Sequence, residues 1–292
     1  MEGEADWQAV RSLISHLHLH GPPGLSWEVR RWDGRRFHQK DHTTFFDTWA
    51  ERVHLWWEDD VLVGVAHPEG PGEAFFQLRP RHRHLQAEML DWAIEHLPHE
   101  GSITVFCNDH DAHLRRLLDA RGFSDAGWGG VARHLTMPPD APPPPTIAAD
   151  YRIRHTAPSD ADGVAALLTI AFGGHGHVGE ELTEFARSAP CFVREWDLVA
   201  EAADGTLAAY VGLSWDPDAD LGIFEPVCTH PDHQRRGLAK ALIQHGLGLL
   251  HDRGVGRACV DSGDPTAANA LYESVGFTEA YHGRAFALRT TT

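Results

Sequence analysis

Two hydrophobic periodicities alternate along the chain and together predict an α/β protein. In the second half, runs of alternating or continuous apolar residues predict strands at 151–154, 198–202, 207–214 and 221–229. Apolar residues spaced three and four positions apart predict helices at 160–171, 180–188, 237–253 and 266–274. Asp160 is a plausible N-cap and Gly276 a plausible C-cap. Because three strands precede the third helix, we expect α/β layers around a mixed sheet.

A proline-rich segment divides the chain. Prolines at the density found in residues 138–149 continue neither a helix nor a sheet ladder, and they stiffen a connection into extended geometry. We therefore predict one domain at 1–137, a linker at 138–149 and a second domain at 150–292. The total of 292 residues fits two compact domains.

The two parts end alike. When Gly122 is aligned with Gly276 at a constant offset, the ends of the two parts superpose. Each end has a short strand, a helix that ends at a Gly-Phe pair, and a closing strand pair. This similarity predicts a duplicated domain.

Composition narrows the class of protein. The 42% of hydrophobic residues excludes a wholly disordered chain, and no run approaches the roughly 20 apolar residues of a membrane span. The acidic start lacks the features of a secretory signal, so we expect a cytoplasmic protein. Four scattered cysteines suggest neither a zinc site nor a disulfide framework. A net charge of −17 argues against binding to nucleic acid and is compatible with a cationic acceptor.

The most informative run is EPVCTHPDHQRRGLAKALI at 225–243. A strand ends near Thr229 and a helix opens by Leu238, so unpaired backbone N–H groups face one point at the positive end of a helix dipole. Gly237 lets the backbone approach phosphate oxygens, and Arg235, Arg236 and Lys240 add positive charge. The run predicts an anion site, although such a string also fits an ordinary basic helix start.

Together with the later LYESVGF at 271–277, this run resembles the motifs of the GNAT superfamily of acyl-CoA-dependent N-acyltransferases. The resemblance implies acetyl-CoA as cosubstrate and no metal. It places the coenzyme A pyrophosphate on the turn formed by Gln234, Arg235, Arg236, Gly237, Leu238, Ala239 and Lys240. It further implies that the pantetheine arm pairs with Val227, Cys228 and Thr229, beside a splayed strand at 258–261.

The resemblance also implies two catalytic groups. Tyr272 matches the family tyrosine that protonates the leaving thiolate, with a core aromatic as the alternative. Glu225 matches a position from which relatives draw a carboxylate base, and a solvated carboxylate is the alternative. Pro226 suggests a β-bulge that aims Glu225 inward. Many relatives carry a cofactor-contacting asparagine where this chain has Pro265, so Asn269 is a weaker candidate for that contact.

The first half differs at the corresponding positions. Residues 78–87 contain no glycine, and Leu118 stands in the register of the tyrosine. We expect a degenerate copy that supports the fold or the acceptor pocket, with a phosphate site around Arg81 and Arg83 as the minority alternative.

Histidines offer weaker candidates. His16, His18 and His20, or His82 and His84, have spacings that do not suit a metal site, and we expect them to be solvated. His175 and His177 lie in a glycine-rich loop and are candidates for contact with substrate.

The sequence thus predicts tandem GNAT-like domains, the second of which transfers an acetyl group from acetyl-CoA to a primary amine of a small molecule by direct attack. The tandem arrangement is similar to that of mycothiol synthases, which implies a cysteinyl amine as an alternative acceptor. A noncatalytic acyl-CoA-binding regulatory module is the other alternative. Neither a nucleic acid nor a membrane is expected as partner, and both a monomer and a homodimer are compatible with the sequence.

Overall fold

The computed structural model describes residues 1–21, 27–39, 42, 45–173, 176–263 and 267–290. Pro265 and His175 lie outside the described residues. The helices are α1 Glu4–His20, α2 Val29–Phe37, α3 Phe45–Thr48, α4 Gln86–His96, α5 Ala112–Ala120, α6 Ala161–Phe172, α7 Gly179–Ser188, α8 Leu238–Arg253 and α9 Ala267–Ser274. The strands are β1 His54–Glu58, β2 Val61–His67, β3 Glu73–Leu78, β4 Ser102–Asn108, β5 Ser124–Thr136, β6 Tyr151–His155, β7 Phe192–Ala202, β8 Leu207–Asp216, β9 Leu221–Thr229, β10 Arg257–Gly263 and β11 Glu279–Arg289.

The predicted elements of the second half are present, with modest shifts of their ends. Strand β7 is the largest exception, because it begins at Phe192 and the polar Arg194 and Glu195 interrupt its apolar pattern before residue 198. Asp160 occupies the N-cap position of α6 but makes no side-chain bond to the helix. Its carboxylate instead accepts the N–H of Ala157 at 2.7 Å and pairs with Arg154.

The strands form one mixed sheet of eleven, in the order β1-β2-β3-β4-β11-β5-β10-β9-β8-β7-β6. The pairs β3–β4 and β9–β10 are parallel, and the other neighbours are antiparallel. The predicted α/β class and mixed sheet are therefore confirmed. Within the described ranges, no helix has both the length and the apolar character needed to cross a membrane.

The last strand of each half lies in the other half of the sheet. Strand β11 pairs with β4 of the first half, and β5 pairs with β10 of the second. These are single long strands, so the expected closing strand pairs are wrong. Phe286 of β11 packs in a core of the first half, whereas Leu135 of β5 packs against the core of the second half. Residues 138–148 carry neither helix nor strand, as expected of a linker, and the domain limits themselves stay a prediction.

The first half lacks the features of a phosphate turn. Leu85, immediately before α4, has ordinary right-handed helical geometry. Arg83 pairs with Asp111 at 3.0 Å, and Leu118 is fully buried. The prediction that His18 is solvated is wrong. Its Nε2 lies 3.1 Å from the carbonyl oxygen of Trp27, within hydrogen-bond distance.

Candidate functional site

The turn before α8 has the backbone shape of an anion cradle. Arg235 and Gly237 both adopt left-handed conformations, with φ of 60° and 76°. A Cβ atom on Gly237 would meet nothing within 4 Å, so the space over this glycine is open to a ligand. Within the described part of the chain, the amides of residues 235–240 donate to no backbone carbonyl. These amides and the dipole of α8 suit a bound phosphate.

Strands β9 and β10 separate next to this turn. Their parallel pairing covers only three residue pairs and ends at Cys259 opposite Ile223. Beyond this point, Val227 and Cys228 pair with β8 on one side, and the other edge of β9 has left β10. A free strand edge accepts an extended ligand through backbone hydrogen bonds. The expected splay is confirmed only beyond Cys259, because Ala258 and Cys259 still pair with β9.

A β-bulge places Glu225 at the opening of the splay. Glu225 and Pro226 together face the single residue Gly212 of β8, so β9 carries one extra residue there. The bulge that Pro226 suggested is therefore confirmed, and the Glu225 side chain contributes to the walls of two cavities.

Two carboxyl groups, those of Glu28 and Asp261, lie close to Glu225. Glu28, immediately before α2, is 4% exposed, and neither of its buried carboxyl oxygens meets a hydrogen-bond donor. Burial and the charge of Glu225 raise the pKa of Glu28 well above its ordinary value. Burial, assisted by Glu225, also raises the pKa of Asp261 on β10 to about 7. Burial therefore favours the protonated form of Glu28.

The pKa of Glu225 shifts in the opposite direction. Burial alone would raise its pKa, but the adjacent Glu28 carboxyl group and the positive charges of Arg31 and Arg30 hold the pKa of Glu225 below its ordinary value. Glu225 is thus a carboxylate at neutral pH.

The two arginines come from α2 of the first half. Arg30 is buried and donates to the Ser214 hydroxyl at 2.7 Å. A side chain at Gly212 would collide with the Arg30 guanidinium, so that glycine makes room for it. Arg31 forms a two-point ion pair with Glu69, at 2.8 and 2.5 Å. The first half therefore supplies charged groups to the site of the second, as the expectation of a supporting role allowed.

Tyr272 is buried on α9, with its ring 6.4 Å from that of Phe277. Burial raises the pKa of the phenol, and the charges of Asp261 and Glu225 raise it further. The phenol therefore keeps its proton at neutral pH, which a general acid requires. Core packing and a catalytic role are both compatible with this position.

The Asn269 side chain is engaged within the protein. Its oxygen accepts from Arg133 of β5 and from Ser262, both at 3.0 Å, and its amide donates to the carbonyl of Gly263 at 3.2 Å. These bonds tie α9 to the end of β10. The contact of Asn269 with the cofactor stays a prediction.

Two cavities meet at Glu225. The larger, of about 610 Å³, lies between α2 and residues of the second half, His177 among them. The smaller, of about 350 Å³, extends to Asp261 in the splay. Both are lined by Arg31, Glu69 and Glu225, so these side chains stand between one space that suits an acceptor and another that suits an acyl group. No group of three His, Cys, Asp or Glu side chains suited to a metal ion occurs among the described residues.

Known proteins are similar to this chain in sequence and in fold. Residues 167–277 match the acetyltransferase (GNAT) family. The mycothiol acetyltransferase of Beutenbergia cavernae is 30% identical over 236 residues, which cover 75% of this chain and 72% of that protein.

The chain belongs to the GNAT acetyltransferase family. Two solved structures extend the likeness to the whole fold. A GCN5-related N-acetyltransferase from Sphaerobacter thermophilus has a TM-score of 0.68 at 18% identity and covers 98% of this chain and 96% of its own. A tandem GNAT protein from the clavulanic acid biosynthesis pathway has a TM-score of 0.64 at 15% identity, covering 100% and 98%. The expected tandem GNAT architecture is confirmed.

Some residues of this GNAT site are absent from the sequence-based candidates. Glu28, Arg30 and Arg31 belong to the first half, where no glycine turn or tyrosine directs attention to them. The available signal is a group of charged residues bounded by Trp27 and Trp32, a composition that suits a buried polar site in an apolar wall. The sequence places Asp261 on the splayed strand but does not indicate that its carboxyl group lies in the site.

Proposed function

We propose that this GNAT protein transfers an acetyl group from acetyl-CoA to a primary amine by direct attack. The observation that carries the proposal is the parting of β9 and β10 at one carboxylate, Glu225, next to an anion-binding turn at 235–240. An extended cofactor bound at the turn and along β9 would deliver its thioester to this opening.

The side chains suit both proton transfers. The amine nitrogen attacks the thioester carbonyl carbon and passes a proton to the Glu225 carboxylate. The carbon–sulfur bond breaks as the tetrahedral adduct collapses, and the departing thiolate takes a proton from the Tyr272 hydroxyl. The Glu28 carboxyl group beside Glu225, together with Arg30 and Arg31, helps to keep Glu225 ionised.

A cysteinyl amine is the second candidate acceptor. The similarity to a mycothiol acetyltransferase over 236 residues favours it. Cysteinyl-glucosaminyl-inositol therefore belongs in the acceptor panel, beside aminoglycosides, polyamines and peptides. If acetyl-CoA binds and no amine releases thiol, the protein is instead a noncatalytic acyl-CoA-binding module.

Coenzyme A binding is tested first. Gly237→Glu puts a charged side chain into the open space of the turn, and we expect coenzyme A binding to weaken at least about 100-fold in isothermal titration. Gly254→Glu is the matched control, because Gly254 has a φ of 77°, a Cβ there also meets nothing within 4 Å, and the residue lies at the opposite end of α8. Equal affinity in both variants would remove the turn from the proposal.

The acid is tested by Tyr272→Phe. Loss of the hydroxyl should lower kcat by about 100-fold or more, with coenzyme A affinity nearly intact. Tyr281→Phe, which removes a hydroxyl bonded only to Glu279 at the surface, serves as control. Unchanged turnover in Tyr272→Phe would eliminate this residue as the proton donor.

A further inference from the structure

The larger cavity has an excess of positive charge on the wall formed by α2. Among its described lining residues, Arg30, Arg31 and Arg35 face two carboxylates, Glu69 and Glu225. Two of the three guanidinium groups have partners in the protein. Arg30 donates to Ser214, and Arg31 is held by Glu69. The third is Arg35.

Arg35 makes no ion pair within the described part of the chain, and its Nε is buried without an acceptor. The guanidinium lies over the ring of Trp49, with its carbon 5.2 Å from the ring centre, and this contact fixes its position. Burial lowers the pKa of Arg35, although the group stays charged at neutral pH. A buried guanidinium nitrogen without an acceptor, such as Nε of Arg35, is costly unless an acceptor reaches it.

The position of Arg35 relative to Glu225 sets the geometry of a ligand. Arg31 and Arg35 are four residues apart on α2 and so lie on the same face, one turn of about 5.4 Å apart. Arg31 stands beside Glu225, whereas Arg35 is one turn farther from the base. A ligand with its amine at Glu225 would therefore bring its other end to Arg35.

We infer that the acceptor is an amine that also carries an acidic group, a carboxylate or a phosphate, and that Arg35 binds this group. The inference rests on the proposed function and specifies its substrate class. The net charge of −17 does not predict an acidic acceptor. The local charge of the cavity wall formed by α2 has the opposite sign. The planar fork of arginine suits two-point binding of either kind of anion.

Matched acceptor pairs test the charge requirement. The ω-amino acids from 3-aminopropanoate to 6-aminohexanoate are compared with their amides, and O-phosphoethanolamine with ethanolamine, in a thiol-release assay with acetyl-CoA. We expect kcat/KM to be about 10- to 100-fold higher for the acidic member of the best pair. The carboxylate and phosphate arms separate the two kinds of anion. Equal rates for acids and amides, or a preference for neutral cysteinyl-glucosaminyl-inositol over every acid, would overturn the inference.

Substitution then tests Arg35 itself. Arg35→Gln should abolish the preference, because it raises KM for the acid much more than KM for the amide. Arg35→Lys keeps the charge and should restore part of the preference. Arg116→Gln, at an exposed position on α5, is the control, and thermal unfolding checks that each variant is folded. An equal loss for acid and amide in Arg35→Gln would assign Arg35 a structural role only.

Direct binding separates this inference from the proposed function. Isothermal titration with glutarate and with inorganic phosphate requires no turnover, and we expect at least one to bind the native protein and not Arg35→Gln. Anion binding that Arg35→Gln abolishes, without acetyl transfer to any amine, would support the anion site and reject the transferase. Transfer to amines without any anion binding would reject the anion site alone.

Discussion

At the residue scale, Glu28 and Glu225 form a pair in which one carboxyl keeps a proton and the other gives it up. Glu28 lies in the first half, is 4% exposed and has no donor for its oxygens, so the neutral form is favoured. Glu225 has the Glu28 carboxyl group, Arg31 and Arg30 nearby, and together they favour its ionised form. The pair thus makes Glu28 a positioning residue for the proposed base.

Substitution of Glu28 tests this arrangement. Glu28→Ala removes the carboxyl group beside Glu225, so the pKa of Glu225 should rise and the acidic limb of the kcat/KM profile should move to higher pH. We expect a loss of about tenfold on that limb, the usual effect of one hydrogen bond to a charged group. Glu28→Gln retains an N–H donor and should keep the limb in place. Identical profiles for the two variants would show that a polar group at this position does not tune the base.

The same pair shows what sequence can predict at this scale. Gly237, Tyr272 and Glu225 lie in local motifs, so their spacing alone makes them candidates. Whether Tyr272 and Glu225 catalyse stays a prediction. Glu28 and Arg30 reach the site only through the tertiary fold, as the bond from Arg30 to Ser214 across 184 positions illustrates. No periodicity encodes a contact of that range.

At the scale of elements, the exchanged strands join the two halves. Seven residue pairs link β4 with β11, and seven link β5 with β10. The sequence predicted the repeated strand and helix correctly because their apolar patterns are local. The sequence did not predict the exchange. Strands β5 and β11 have similar apolar patterns, so each of them could pair with either β4 or β10.

The exchange predicts how the linker behaves. A protease site inserted between the exposed Asp140 and Ala141 should allow cleavage into two fragments that stay together and unfold as one unit. Fragments 1–140 and 141–292 expressed alone should be unfolded or insoluble, because each lacks a strand that its sheet and core require. Size exclusion and circular dichroism provide the measurement. A separately expressed fragment with a cooperative thermal transition would contradict the prediction.

At the scale of the whole molecule, buried histidines make stability sensitive to acid. Burial lowers the pKa of His38 and His67 to about 3, and that of His18 and His134 to about 4. Each is below the ordinary value of 6.5, so unfolding takes up protons on these rings. Their stabilising contribution is complete above pH 6.5 and declines as the pH falls toward the folded values. Carboxyl groups whose pKa is raised by burial, such as those of Asp261 and Asp33, act in the opposite direction.

His67 provides the sharpest test of this sensitivity. It is fully buried; its neutral ring donates from Nδ1 to the Pro68 carbonyl at 3.2 Å and has Nε2 3.4 Å from the Gln77 amide. Going from pH 7 to 5 should cost about 2 kcal/mol at this one position, because the unfolded ring is protonated at pH 5 and the folded ring is not. His67→Gln removes the titration, so its midpoint in urea, although lower at pH 7, should fall less than that of the native protein between pH 7 and 5. The exposed His110→Gln should follow the native curve. Parallel curves for His67→Gln and the native protein would show that the His67 ring is protonated equally in the folded and unfolded states, and that the acid sensitivity arises elsewhere.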